Sequence, residues 1–590
     1  MSETIFMNQK QFAELKSFYL SLGFSEKQAE RLQKKVFNYT VQPDEKTPYN
    51  ENWSFYPQRE TGFMNRFFGG AGSTASGMRK AKSSAPMMGM SMNNTSARAS
   101  VSYCMAAPSA PFAEADECAE DGMEAPEFNT AETHAADDLP EMDPMTDTEV
   151  IFSANVNNAS WSYVRNSVKR GRKIDSSFVR AEEMINSFDY DISAPKDKTF
   201  AVSAQTIPCP WSNGAELLFV GIKGAETTDK KPNHLVFLVD VSGSMQDEVV
   251  LEQMAIMSLV SKLGKDDTMS VITYSNNTKT IIRNLKCTDT DKCIDAVLNI
   301  HFDNGCTYGS EGLTNAYDML SEFKDNSANN RIFIFTDGDF NFGISSEGGL
   351  ANFIKEKKKS GIYLSVVGYG MRNFKDNHME ALSRNGNGNY CFVGSPEDIR
   401  ERLFKQFDAT VYSIAKDVKI KVEMNPEYVS GYRLIGYNAR KLTRQDFDDT
   451  EKAVDGFGSG QISAALIEFT RRNTDNGSDG SEAGSRYTKT ESKNISDEFA
   501  AVTIRFKTPE DINTEQLEVI KANDISGGSN AEIAAVLAAF GLDMSDSKYK
   551  GVLTKEKLGI MLIDCLNAVN DDAKKNLIAY AGVFEKYINS

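Results

Sequence analysis

Apolar residues change their spacing in blocks along the chain, and each block predicts a different kind of element. Phe12, Leu15, Tyr19 and Leu22 recur at intervals of three and four, the stripe of an amphipathic helix. Gly23 stops that stripe, and Ser25 with Gln28 forms the reciprocal capping pair that opens a second helix, so residues 6–38 are expected to form a helical hairpin. From about 60 to 147 the periodicity vanishes into Gly, Ala, Ser and Met, as in GGAGSTASGMRKAKSSAPMMGMSMNN, and then into acidic runs such as EADECAEDGMEAPEF. So few β-branched and aromatic residues cannot bury enough surface to offset ordering entropy, and a disordered linker is expected.

Globular patterning resumes at 148. FVRAEEMINSF has helical spacing, and TFAVSAQT and ELLFVGIKG read as strands. Between 233 and 414 unbroken apolar runs (HLVFLVD, MSVITYS, TIIRNL, RIFIFTD, IYLSVVGYG, NYCFVG) alternate with helix-length segments beginning near 247, 309 and 347. Strands apolar on both faces and separated by helices predict a doubly wound, mostly parallel α/β sheet of Rossmann-like form. Beyond it, DVKIKVEMNP, YRLIGY, QISAALIEFT and AAVTIRFK follow one another without helices, the pattern of an antiparallel sandwich. Because strand-like segments lie on both sides of the α/β unit (199–223 and 416–507), that unit is expected to be inserted into a β-sandwich. EIAAVLAAFGLDM, KLGIMLIDCLNAV and KKNLIAYAGVFEKYI close the chain as helices. The expected organisation is a small helical module (1–59), a low-complexity linker (60–147), helices plus sandwich strands (148–232), the α/β domain (233–414), the remaining β-sandwich (415–509) and a helical C-terminal region (510–590).

Composition narrows the partners. The 590 residues carry 65 basic against 83 acidic side chains, a formal charge of −18, which repels phosphate backbones and anionic lipid. No run approaches the roughly 18–20 apolar residues of a membrane span, and MSETIFMNQKQFAELKSF lacks the layout of a secretory signal. A cytoplasmic protein with no nucleic-acid partner is expected; its oligomeric state is open. Eight cysteines (104, 118, 209, 287, 293, 306, 391, 565) show no CxxC pair. They are expected to be reduced structural thiols, with a Cys287–Cys293 bridge as the minor alternative.

The candidate chemistry lies where apolar strands end. HLVFLVD runs into DVSGSM and places Asp240, Ser242 and Ser244 at the carboxyl end of a central strand, the edge at which open α/β sheets bind ligands. RIFIFTDGDF brings Asp337 to the same edge, and the loop DNGCTYGSEGL carries Thr307 just ahead of a helix. Carboxylate and hydroxyl oxygens without His or Cys describe a hard divalent cation, with Mg²⁺ expected and Mn²⁺ or Ca²⁺ as alternatives. Asp303 and Asp339 are equally well read as solvated loop charges.

DxSxS, a loop threonine and a TDG strand end, in that order, resemble the metal-ion-dependent adhesion site of von Willebrand factor A domains. PCPW at 208–211, LLFVGIKG, IAKDVKIKVEMNP, YRLIGYNAR and SDSKYKG extend the likeness over about 148–590 to bacterial A-domain proteins labelled calcium-activated chloride channel homologues. The resemblance implies that Ser242, Ser244 and Thr307 contact the metal, that Asp240 and Asp337 hold it directly or through water, and that a partner's Glu or Asp fills the open position. The channel label implies no function here, because nothing in the sequence could line a pore. Many relatives carry an export sequence, which is not expected here from the N-terminal residues; the chain also departs from the resemblance in having NGCT with Cys306 before Thr307, and Asn155 and Asn157 where relatives tend to carry aspartates.

Enzymatic alternatives find no support. The four histidines (134, 234, 301, 378) form no HExxH, no GxSxG is present, and a dehalogenase-type phosphatase would need an acid where Ser242 stands. A non-enzymatic, metal-dependent binding or scaffold protein is therefore expected. A structural or regulatory subunit with an idle metal site is the alternative, and a metal-dependent hydrolase comes last. Capture of a carboxylate is further expected to shift the last helix of the α/β unit, about 396–414.

Overall fold

The computed structural model describes residues 9–35, 139–144, 147–154, 158–228, 230–246, 248–303, 309–338, 353–354, 357, 360–370, 376–450, 452, 454–472, 500–509, 515–522 and 527–590. Its strands are, in chain order, β1 (Glu149–Ser153), β2 (Phe200–Pro208), β3 (Ala215–Gly224), β4 (Asn233–Asp240), β5 (Thr268–Tyr274), β6 (Thr278–Lys286), β7 (Asn329–Thr336), β8 (Tyr363–Gly368), β9 (Asn387–Phe392), β10 (Ser413–Met424), β11 (Val429–Leu434), β12 (Phe457–Gly458), β13 (Ile462–Arg471), β14 (Ala500–Lys507) and β15 (Glu515–Ala522).

Six of these strands form the central sheet in the order β6-β5-β4-β7-β8-β9. All its pairings are parallel except β5–β6, where β6 returns directly from β5. Alternation along β4 explains why it must be central. Leu235, Phe237 and Val239 enter the core on one face, and Val236 and Leu238 enter the core on the other. The helix Val249–Val260 is buried along nearly its whole length, because the sheet lies on one side of it and the helical run from Pro396 to Val411 packs on another. The turns Ile399–Lys405 within that run are wound as π-helix.

Two further sheets enclose a shared apolar core. One has the order β1-β10-β14-β15, with β12 on β10, and the other β11-β13-β3-β2. β3, which precedes the α/β unit in sequence, pairs antiparallel with β13, which follows it, with Leu218 opposite Ile467. The α/β unit is thus inserted into a sandwich, as its flanking strands imply. Two expectations need correction. Residues 510–590 are not helical throughout, because β15 pairs with β14 along its full length. EVIFS, not counted among the outer strands, is β1 and pairs with β10. Both segments are short edge strands whose identity comes from the neighbour that accepts their hydrogen bonds rather than from their own composition.

The junction between sandwich and α/β unit is close-packed at Gly458. A Cβ added there would lie 1.8 Å from the carbonyl oxygen of Ala409 in the helical run. Gly458→Ala should therefore force β12 off that run and lower the unfolding free energy by about 1–3 kcal/mol or more. A chemical denaturation curve checks this.

The N-terminal helices Gln9–Ser21 and Glu26–Lys35 form the expected hairpin. Gly23 takes a left-handed φ of +92°, and Ser25 and Gln28 exchange capping hydrogen bonds (3.1 and 3.3 Å). Leu15, Phe18, Tyr19 and Leu32 are fully buried in the same core cluster as the α/β helices. Arg31 pairs with Asp291 and Asp295 on the helix Thr290–Leu298. Helices this short are marginal alone, so Phe18→Ala should release the hairpin and make Lys16 and Arg31 early tryptic sites, which limited proteolysis would show.

At the other end, Ser529–Met544 packs on the helix Ala181–Ile185 and on β3. Phe540 stacks on Phe584 (centroids 3.7 Å apart) and Trp161 on Tyr580 (4.2 Å). No helix among the described residues is long and apolar enough to cross a membrane.

Candidate functional site

β4 and β7 are adjacent and parallel, with Val239 opposite Phe335. Their carboxyl ends therefore deliver Asp240 and Asp337 to one rim of the sheet. Asp240 is fully buried and Asp337 nearly so. Asp240 Oδ1 accepts the Ser242 backbone N–H at 3.0 Å and Oδ2 accepts the Thr336 hydroxyl at 3.3 Å. Thr336 Oγ1 in turn accepts the N–H of Gly338 at 3.0 Å, in a turn where that glycine adopts φ +86°. Ser242 Oγ lies 3.4 Å from Ser244 Oγ; Ser242 is buried, whereas Ser244 faces solvent. The rim is thus a buried carboxylate floor with an exposed hydroxyl lip.

Electrostatically Asp240 is strained by its burial. Burial pushes the Asp240 carboxyl up to about 7; hydrogen bonds from Ser242 oppose that rise and the nearby charge of Asp337 adds to it. A third carboxyl, Glu252, projects from the helix Val249–Val260. It is fully buried, and neither of its oxygens has a hydrogen-bond partner. Burial first, then the charges of Asp240, Glu248 and Asp337, drive it well above the usual carboxylate range. No lysine or arginine among the described residues pairs with Asp240 or Glu252. Uncompensated buried anions are costly, and a hard cation at the rim is the compensation this donor set fits.

Sequence pattern missed Glu252, because an acid in the first turn of a helix reads as a solvated N-terminal charge. The signal available was its neighbourhood: VVLEQMAIMSLV is apolar on every face, so no solvated side remains for Glu252.

Thr307 lies outside the described residues, but both flanks of its loop are anchored at the rim. Asp303 donates its N–H to the carbonyl of Val241 (2.9 Å) and accepts the Ser275 hydroxyl (2.7 Å). Downstream, the helix Gly309–Glu322 presses Gly312 against Tyr274, at the end of β5. Asp339, Asn155, Asn157, Cys306 and His134 also lie outside the described residues. His234 is the second residue of β4, and His301 follows the helix Thr290–Leu298. Among the described residues no three His, Cys, Asp or Glu side chains gather into a metal cage, so any cation here would rest on hydroxyl and water oxygens as well. Cys209, Cys287, Cys293, Cys391 and Cys565 are free thiols.

Comparison with known proteins supports the α/β fold of residues 234–406. The von Willebrand factor type A domain family matches residues 234–406, the family described as von Willebrand factor matches 127–219, and that described as uncharacterized protein YfbK, C-terminal, matches 409–579. The uncharacterized protein YfbK of Escherichia coli (strain K12) is 30% identical over 436 residues, which span 71% of this chain and 75% of that protein. Inter-alpha-trypsin inhibitor heavy chain H3 of Mus musculus is 22% identical over 39% of this chain and 27% of its own length. Among solved structures, the ArnB paralog VWA2 from Sulfolobus acidocaldarius aligns at 14% identity with a TM-score of 0.30, spanning 66% of this chain and 97% of that one.

Proposed function

The chain belongs to the family of von Willebrand factor A-domain proteins that includes YfbK of Escherichia coli, and from that premise we propose that it is a metal-dependent protein-binding scaffold whose sheet rim captures an Asp or Glu of a partner. Domains of this type commonly mediate metal-dependent protein interactions. The observation that carries the reading is a pair of buried carboxyls without a lysine or arginine partner among the described residues, Asp240 and Glu252, with Asp337 nearby and the rim opening onto solvent at Ser244.

Ser242, Ser244 and Thr307 would hold the cation with Asp240 and Asp337, and few direct charges with several waters favour Mg²⁺ over Mn²⁺ or Ca²⁺. A bound cation supplies the positive charge that a partner carboxylate completes by replacing a water. The protein's own part is preorganisation: Thr336 and the Ser242 N–H fix both oxygens of Asp240 before any ligand arrives.

A route from the rim to the sandwich is built in. The helix carrying Glu252 packs on the run 396–411, and Arg402 of that run donates to the carbonyls of Asn186 and Ser187 (3.3 and 3.5 Å). Capture is expected to change amide exchange in 396–411; unchanged protection at saturating partner ends the coupling idea.

Pull-down on the full chain tests the function. A partner retained in Mg²⁺ should be lost both in EDTA and with Asp240→Ala. A partner retained in all three conditions would make the chain a structural subunit with an idle rim.

A further inference from the structure

We propose that the cavity at the opposite end of the α/β sheet, beneath the sandwich, binds a small molecule through anionic carboxylate or phosphate oxygens. The cavity measures about 810 Å³ and is lined by the first residues of β7 and β8, Asn329 and Tyr363, by Tyr412, and by Lys196, Lys198 and Lys231. It is within the size range of small-molecule sites. Asp197 and Glu226 also line it, so cations are in excess on its wall, in a chain whose net charge is −18.

What marks it as a site is the pair of cations behind its tyrosine. Arg331 is 1% exposed, and its guanidinium lies 4.9 Å from the centre of the Tyr363 ring. It donates one hydrogen bond, to Ser365 Oγ at 2.6 Å, and its Nε has no partner. No carboxylate compensates it, and burial alone lowers its pKa to about 10, with only Tyr363 opposing that fall. It therefore keeps its charge at neutral pH. Lys416, also buried, places Nζ 4.7 Å from the same ring and has no carboxylate partner among the described residues.

Other buried arginines are satisfied, Arg165 by Asp398, Arg433 by Glu468 and Arg440 by Glu380, while Arg402 donates to the carbonyls of Asn186 and Ser187 and to the Gln406 side chain. A buried guanidinium without an anion is costly unless something else balances it. Two unbalanced cations flanking one ring of a cavity wall make that wall positive in a low-dielectric setting, which concentrates anions. Ser365, the acceptor of Arg331, lines a neighbouring cavity of about 500 Å³, and Glu226, Thr227 and Thr228 line both. Arg331, Tyr363 and Ser365 thus form a partition reached from two sides.

Titration calorimetry of the full chain at low ionic strength, with pyrophosphate, succinate and neutral succinamide as probes, tests this. At least one of the two anions should bind once per chain, the tighter of the two telling phosphate from carboxylate recognition, and succinamide should not bind. Arg331→Gln and Lys416→Met should each weaken that binding about tenfold or more, while Asp240→Asn at the far rim leaves it unchanged. Because Arg331 has no ion pair to lose, Arg331→Gln should also keep or raise the melting temperature. Absence of saturable anion binding, equal binding to both variants, or a large loss of stability in Arg331→Gln would each overturn the proposal.

Discussion

Arg440→Met is expected to destabilise the protein by about 3–5 kcal/mol, because it strips the cation from a buried cluster of acids. Arg440 is 3% exposed, pairs with Glu380, and lies 4.0 Å from Glu183. Burial works against its charge, but Glu380, Asp455, Glu183 and Glu182 more than restore it, so its pKa stands above the ordinary value. Those acids come from different parts of the chain. Glu182 and Glu183 lie on the helix preceding the α/β unit, Glu380 lies on the helix Asp376–Asn385 within it, and Asp455 follows it in the sandwich segment. Without Arg440 the buried Glu380 loses a close cation; Arg180 still holds Glu183, and Arg384 lies 4.0 Å from Glu380 and 3.6 Å from Asp455, so the cost is concentrated at Glu380 and falls on the contact between the two layers. Urea denaturation of the variant, and of Arg440→Met combined with Glu380→Gln, would measure it. The double variant should recover part of the loss. A loss below about 1 kcal/mol, the range of a surface pair, would contradict the assignment.

Asp240→Asn should have opposite effects with and without metal. Its carboxyl rises on folding from 3.8 to about 7, chiefly through burial. A raised acid gives stability that is fully present below the unfolded pKa and lost as pH climbs through the folded one, here from about 4 to 7. At pH 8 in EDTA the charged Asp240 is therefore a liability of at most about 4 kcal/mol, and Asn removes it, so the variant should melt higher than wild type. With excess Mg²⁺ the order should reverse: wild type gains from binding and the variant does not. At pH 5.5 the metal-free difference should shrink, because the proton then does what Asn does. Melting curves in EDTA and in Mg²⁺ at both values check all of this, and a variant that gains from Mg²⁺ as wild type does would remove Asp240 from the site.

How much of this was legible in the sequence depended on which force set each feature. HLVFLVD announces a strand buried on both faces because its five middle positions, Leu235 to Val239, are all apolar, and β4 splits those side chains between two cores. Ser25 and Gln28 announce a helix start because capping is local chemistry. Asp240, Ser242, Ser244 and Asp337 were legible because strand ends fix where side chains emerge. β15 was not legible: EQLEVIKA carries no alternation strong enough to outweigh the helices after it, and its state is set by β14. Glu252 and Arg331 were illegible for a related reason. A charged residue in a sequence reads as solvated until the fold shows that no solvent reaches it. The wide winding of 399–405, in the stretch that packs on the helix Val249–Val260, likewise has no signal in the sequence.

The central claim is that oxygens from separate loops converge on one rim to hold a divalent cation. Calorimetric titration of the full chain with Mn²⁺ at pH 8 tests it most directly. One site per chain is predicted, abolished by Asp240→Ala and strongly weakened by Thr307→Ala, with a second titration at pH 6 showing lower affinity as Asp240 takes up a proton. No heat with the wild-type chain, or one undiminished site in Asp240→Ala, would contradict the account.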